Sequence, residues 1–442
     1  MAAGTSIEER LAIMAAMEAG ESVQGCAQRL RLGESTVRKW RQRYREAGRA
    51  GLVTTMGRPA RGALSSMGEA MQMRMRRMRE AHPGWGAVTL RIEVERTRVA
   101  DEPLPSVATI GRFLKAQGLT HTPEPQRELP ATERTQAGAA HACWEMDARG
   151  YSAVADVGVV TLINLNDRYS HVRLLSYPCH LGAQRAMRHA TTQDYQCALR
   201  LAFMHWGLPT TLQVDHESVF HDNKSRSPFP TRLHLWLLGI GVNLTFGRVR
   251  RPEDQGMTER SHQLWANQVL HGQTFADWQT LYHALEQRRA VLNEQLPCRS
   301  LDDQPPLVAF PEARHSGRAY VPEHEAQIFK QQRIYDYLAQ GRWFRTVANN
   351  GTISLGGHAY SVGSVLQRQV LELRFNPETT KLVVQNLSGQ IVTQLDLIGL
   401  TASDLMGDWQ QYVRTPALQF PLPFTWPELQ LLRLYEHASA IT

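Results

Sequence analysis

Apolar residues near the start of the chain recur at helical spacing. Ile7, Leu11, Met14 and Met17 form one stripe, opened by a Ser6/Glu9 capping box and stopped at Gly20. Val23, Cys26, Ala27 and Leu30 form a second stripe behind Ser22. After the turn RLG a third helix, ESTVRKWRQRYREAG, turns Val37 and Trp40 inward. A similar pattern follows: MGEAMQMRMRRMREAHPGWGAVTLRIEVERT predicts two helices broken at HPGWG, and LPSVATIGRFLKAQGL predicts another over 106–117. Residues 121–140 are polar and proline-rich, which predicts a linker.

Beyond that linker the period shortens to two. ACWEMDARG alternates up to Asp147, and VGVVTLINLNDRYSHVRLLSY predicts two antiparallel strands turning at 166–168. A long helix (GAQRAMRHATTQDYQCALRLAFMHWG), a strand ending at Asp215 (TTLQVD), a helix (TRLHLWLLGIG), a short strand (VNLTF) and a helix carrying Glu259 complete the order βββ-α-β-α-β-α. Pro252, Glu253 and Asp254 fit the start of that last helix, since proline suits its first turn and acids its positive dipole end. A helix over 276–296 and a helical linker follow. Short alternating strands with Asn-Gly, Asn-Pro and Ser-Gly turns then predict a small β-barrel.

The predicted architecture is multidomain: an all-α helix-turn-helix front, an α/β core and a small C-terminal β-barrel. Its boundaries are a first helix-turn-helix domain over 1–55, a basic linker over 56–66 and a second helix-turn-helix-like domain over 67–120. The linker at 121–140 leads to a core over 141–310, a helical linker over 311–340, the barrel over 341–400 and an apolar tail over 401–442.

Composition fits this division. The chain has 442 residues, 42% of them hydrophobic, enough for several cores. No window approaches a membrane span, and the acidic, helical start is unlike a signal peptide, so the expected compartment is the cytosol and no membrane partner is expected. The five cysteines are scattered without a CxxC pair, which argues against a disulfide framework or a cysteine zinc site. Residues 1–140 hold 22 Lys plus Arg against 15 Asp plus Glu, a surplus equal to the whole-chain net charge of +7. A basic front on a neutral remainder points to a polyanion, most simply nucleic acid, and the helix-turn-helix pattern, whose later helix enters the major groove, makes that double-stranded DNA.

On the third helix Ser35, Arg38 and Lys39 are placed for base edges and Arg41, Arg43 and Arg45 for phosphates. An ordinary three-helix bundle with a solvated basic face is the plainer alternative. Arg112 and Lys115 occupy the matching helix of the second unit. Arg58 and Arg61, in MGRPARG, form either a basic linker or an arm for a narrow minor groove. Arg248, Arg250, Arg251 and Arg260 flank the start of the last core helix and are phosphate-contact candidates, with a solvated loop as the alternative for the first three. Barrel arginines, among them Arg342 and Arg345, serve DNA, a neighbouring protomer or packing.

Asp147, Asp215 and Glu259 lie on elements able to converge on one edge of a mixed sheet, and carboxylates so gathered suit hard divalent cations. WEMDARG, LQVDHESVF and DQGMTERSH, in that order behind helix-turn-helix units, resemble the three acidic motifs of the integrase-like DDE transposases of insertion sequences, over roughly residues 5–400. The resemblance implies an RNase H-like catalytic core shared with retroviral integrases. It implies that Asp147, Asp215 and Glu259 are catalytic and bind two Mg²⁺ (or Mn²⁺) ions, nicking transposon ends so that the 3′-OH attacks target DNA. Homo-oligomers on DNA, a bacterial cytoplasm with nucleoid association and an optional accessory ATPase belong to the same expectation.

The chain departs from the family pattern in two places. His216 and Glu217 replace the usual Asn-Gly, and a longer stretch, including HDNKSRSPFP, separates Asp215 from Glu259. Asp222 is therefore a rival second ligand, disfavoured because Asp215 ends the strand. The competing functions are a non-catalytic DNA-binding protein derived from a transposase and an RNase H-like nuclease that cuts without joining.

Overall fold

The computed structural model describes residues 5–52, 67–97, 104–120, 137–154, 157–183, 185, 187–223, 225–247 and 256–407. Side chains at 50, 149–151 and 256–260 are excepted. The chain forms two compact units, 1–74 with 108–118 and 75–107 with 119–442, so the division runs through 67–120 instead of at its ends.

The first unit opens with α1 (Ile7–Glu18), α2 (Val23–Leu30) and α3 (Glu34–Ala47). Each start has a local cause. Ser6 and Glu9 make a reciprocal capping box, the Ser22 hydroxyl accepts from Gly25 N at 3.0 Å, and Arg31 closes α2 in the left-handed region. Ile13, Met14, Cys26, Val37, Trp40 and Leu52 form the core. The Arg10 guanidinium lies 4.2 Å over the Trp40 ring and donates to Leu52 O at 2.8 Å, so a cation covers the largest side chain. Next come α4 (Glu69–Ala81), α5 (Ala87–Thr97) and α6 (Val107–Ala116), with α5 in the second unit.

The second unit is built on a five-stranded sheet of order β3-β2-β1-β4-β5. Strands β1 (Cys143–Val154), β2 (Gly158–Asp167) and β3 (Arg173–Gly182) are antiparallel, while β4 (Thr211–Val214) runs parallel to β1 and β5 (Asn243–Phe246) parallel to β4. Helices α7 (Thr192–Trp206), α8 (Arg232–Gly239), α9 (Gly256–Trp265) and α10 (Trp278–Glu294) complete the expected order. Alternation gives the sheet two buried faces. Trp144, Met146, Ile163 and Leu165 pack with Phe203 and Trp236 on one, and Val160 and Leu162 pack with Trp265, Leu281 and Leu285 on the other.

Two boundaries differ from the sequence expectation. Strand β1 runs past Asp147 to Val154, through an irregularity between Arg149 and Ser152. Helix α7 starts at Thr192, not near 182, because Thr191 and Asp194 form a capping box there and Arg188 clasps Asp194 at 2.6 Å. Residues 252–254 lie outside the described residues.

After α9 the chain takes one π-helical turn, Ala266–Leu270. The HPGWG breaker docks on it. Trp85 stacks on His82 (3.7 Å) and donates Nε1 to Gln268 O at 3.1 Å, while Arg288 of α10 covers the ring and pairs with Glu93 of α5 at 2.5 Å. Gly84 is required at this contact, since a Cβ would sit 2.1 Å from Asn267 O.

The short helices α11 (Pro306–Ala309) and α12 (Glu325–Ile328) lead to α13 (Gln331–Ala339). Strands β6 (Trp343–Thr346), β7 (Thr352–Leu355), β8 (His358–Ser361), β9 (Val370–Asn376), β10 (Lys381–Gln385) and β11 (Ile391–Asp396) follow, then α14 (Ala402–Met406). The expected barrel does not close among these residues. They form an open sheet of order β11-β10-β9-β6 and a separate β7-β8 hairpin. Gly356 and Gly357, both with positive φ, close β7 tightly onto β8, and the turn at 364–366 separates the hairpin from β9. A buried ion pair anchors this region: Arg200 of α7 grips Glu325 with two bonds of 2.8 Å. Trp236 Nε1 and Tyr320 OH also donate to Glu325, and Arg200 reaches Met406 O at 2.7 Å.

Candidate active site and DNA-binding face

Strand register brings two of the three acids together. Cys143, Trp144 and Glu145 of β1 face Thr211, Leu212 and Gln213 of β4, so continuing the parallel register sets Asp147 beside Asp215 at the carboxyl end of β4. Since Trp144 and Met146 fill one core, alternation sends Glu145 and Asp147 to the opposite face, with their β2 partners Asn166 and Asn164. Helix α9 crosses that face. Asn166 Nδ2 donates to Ser261 Oγ at 3.4 Å, and His262 Nε2 lies 3.3 Å from Asp147 Oδ2. Glu259 stands on the same helix three positions before His262, the spacing that puts two residues on one helix side. Its side chain, like that of Arg260, lies outside the described residues.

Burial, and then the charge of Asp215, push the Asp147 carboxyl up from 3.8 to about 7. Sequence reading missed a further acid here. Asp215 Oδ1 accepts from Glu217 N at 3.0 Å in a local turn, and Glu217 Oε2 accepts from the buried Tyr195 hydroxyl at 2.6 Å. Burial raises the Glu217 carboxyl, against the opposing hydrogen bond from Tyr195. Its place two residues after Asp215 was the available signal. Asp222, the rival second ligand, lies 3.8 Å from Arg345. Among the described residues no group of three or more His, Cys, Asp or Glu is arranged to hold a metal ion. The crowded oxygens of Asp147 and Asp215 nevertheless suit a hard cation, which would relieve their mutual repulsion.

The raised Asp147 value has a stability consequence. The folded carboxyl keeps its proton up to about pH 7, whereas the unfolded one loses it near 3.8, so stability falls as pH rises between these values. Without divalent metal, Asp147→Asn is expected to melt a few degrees above the parent at pH 8, a gain that vanishes below pH 4. Thermal melts across pH check this, and equal melting at pH 8 would contradict it.

On α3, Ser35, Arg38, Lys39 and Arg45 are exposed and Val37 and Trp40 buried. Arg38 pairs with Glu34 at 2.7 Å, a solvent-exposed contact that a phosphate or base edge can displace. Arg43 lies partly buried, 5.4 Å over the Trp40 ring. Arg41 departs from its phosphate assignment: it is buried and donates to Glu21 O at 2.8 Å, satisfying a carbonyl just beyond α1. Arg112 and Lys115 are exposed on α6. Arg58, Arg61, Arg248, Arg250 and Arg251 lie outside the described residues. Arg41→Ala is therefore expected to lower the melting temperature of the first unit, by about 1–3 kcal/mol of stability. Lys39→Ala should leave melting unchanged and weaken DNA binding. Melts and mobility shifts on both variants separate the roles.

Two homeodomain-like domain models match the chain, over residues 5–53 and 36–114. The front of the chain is similar to homeodomain-like domains. Helix-turn-helix units of this kind occupy the front of the chain, and the mixed sheet is formed by later residues of the sequence. Among solved structures, the human T-cell leukaemia virus 2 (HTLV-2) integrase catalytic core in complex with magnesium shares 11% identity, covering 39% of this chain and 99% of that one (TM-score 0.30). The BIV integrase catalytic core shares 15%, covering 39% and 95% (TM-score 0.28). A simian T-cell lymphotropic virus intasome with a PP2A regulatory subunit shares 12%, covering 72% and 99% (TM-score 0.32). No helix among the described residues is long and apolar enough to cross a membrane.

Proposed function

We propose that the protein is a DNA transposase that binds transposon ends, nicks them and joins the freed 3′-OH to target DNA. The observation that supports this reading most is the parallel register of β1 on β4, which carries Asp147 toward Asp215 under the helix that bears Glu259, in a chain whose earlier residues form homeodomain-like helices. Exposed Ser35, Arg38 and Lys39 on α3 and Arg112 and Lys115 on α6 meet the DNA, with Arg45 on its phosphates. Asp147, Asp215 and Glu259 would hold Mg²⁺ or Mn²⁺, two ions per site. When bound, such ions supply activation of the attacking oxygen and stabilisation of the leaving one in an in-line displacement. His262 fixes the orientation of Asp147 from one side, and Tyr195 holds Glu217 from the other. Because one acid set acts on one 3′ end at a time, joining two ends needs at least two protomers on DNA.

The test is incubation of the protein with linear DNA carrying the sequences that flank its gene, with Mg²⁺, scoring nicks and joined products. Nicks with joined products are expected. Nicks alone would make the protein an RNase H-like nuclease, and binding with neither would make it a non-catalytic DNA-binding protein.

A further inference from the structure

A cavity of about 380 Å³ lies on the far side of β4 from β1, and neither Asp147 nor Asp215 lines it. Its wall begins at Phe246, the last residue of β5, which pairs in register with Val214, the residue before Asp215. The carboxyl ends of parallel strands are where open α/β sheets receive ligands. His216, next after Asp215, has its ring 5.2 Å from Phe246 and 5.4 Å from His221, and His221 stands edge-on to Phe246 at 5.4 Å. His234 stands edge-on to Phe246 at 6.3 Å and meets Tyr337 at 5.0 Å, and exposed Arg342 borders the cavity. His234 is buried, and burial pushes it down to about 4, so it is a neutral ring near neutral pH.

The cavity is held in shape by the segment that lengthens the chain between the second and third acids. Within HDNKSRSPFP, Pro228 O accepts from Trp343 Nε1 at 3.1 Å, Ser227 O accepts from Arg345 at 2.7 Å and Asp222 lies 3.8 Å from Arg345. The same segment contributes His221, Phe229 and Pro230 to the wall. An aliphatic core would have been filled by leucine and valine. This wall instead offers flat rings for stacking, imidazole nitrogens for hydrogen bonding and a guanidinium at the rim. Those are the requirements of an unstacked nucleobase and its phosphate.

We propose that this cavity receives one unstacked base of the DNA end, next to the phosphate presented to Asp147 and Asp215. The proposal rests on the transposase reading and adds a base-binding subsite to it. Extruding one nucleotide draws the strand toward β4 and fixes which phosphate lies at the acids. The longer spacing after Asp215 is thereby explained, because the added residues build the wall.

The experiment uses the full-length protein and duplexes from the sequence flanking its gene, with 2-aminopurine placed in turn at each position around the nick. Binding without divalent metal is expected to change the emission at one position only, and Tyr337→Ala with Phe246→Ala should abolish that change. With Mg²⁺, Tyr337→Ala or His221→Ala should slow nicking roughly tenfold on the intact duplex. The loss should shrink to about twofold or less when that nucleotide is abasic, because there is then no base to seat. Tyr337 is 39% exposed, so its truncation leaves the fold intact, and thermal melts of each variant confirm this. Unchanged emission at every position, or a loss of nicking equal on intact and abasic duplexes, overturns the proposal. DNA that is bound but never nicked defeats the transposase reading while the emission still decides the cavity. Failure to bind DNA at all overturns both.

Discussion

Asp147→Asn, Asp215→Asn and Glu259→Gln are each expected to lower nicking and joining on the order of 10³-fold or more, with end binding within about twofold of the parent. Each change keeps the side-chain shape and removes one negative oxygen from the set proposed to hold the metal ions. Binding should survive because the residues of α3 proposed to meet DNA are far in sequence from the acids and belong to a separate compact unit. Asp222→Asn serves as control and should stay active, since its carboxylate faces Arg345. Single-turnover assays on pre-bound end DNA, with mobility shifts alongside, read both quantities. Parent-like turnover by any of the three variants removes that residue from the site.

Glu325→Ala is expected to cost about 3–5 kcal/mol of stability in the second unit, a larger loss than any single surface change. The substitution strands the Arg200 guanidinium, whose side chain is 7% exposed, and strips Trp236 and Tyr320 of their acceptor. Replacing both members of the pair by apolar residues should cost much less, because no buried charge is then left unpaired. Urea melts of the single and double variants decide the matter, and a single variant as stable as the parent would show the pair to be idle. First-unit melting, followed separately, should not change.

The front helices were legible because their signals are local. Ser6 with Glu9, Ser22 and the spacing of Val37 and Trp40 act within a few residues, and the structure follows them. The order of strands and helices in the core was legible for the same reason, and so was the candidacy of Asp215, which directly follows a short strand of alternating burial. What the sequence withheld depends on distant partners. A buried Arg41 looks like any basic residue of its helix until Glu21 O is seen to need a donor. Strand β1 overran Asp147 because its pairing with β2 continues through residues of mixed polarity. Barrel closure was inferred from turns, which set hairpins but not whether the first strand meets the last. The aromatic cavity is assembled from chain segments on both sides of α9 and α10, and no periodicity joins them.

The clasp of Arg200 spans 206 residues, from α7 to Met406 O. At synthesis rates of about 5–20 residues per second, α7 leaves the ribosome roughly 10–40 s before its last partner exists. For that interval the first unit is already made and able to fold, while the acid-bearing unit lacks Glu325 at first and the segment with Met406 throughout. On the proposed reading, a nascent or prematurely ended chain would occupy DNA before it could cut it. Every such product would compete with the full chain for the same ends, so the length of the clasp would make incomplete translation a brake on the protein's own activity.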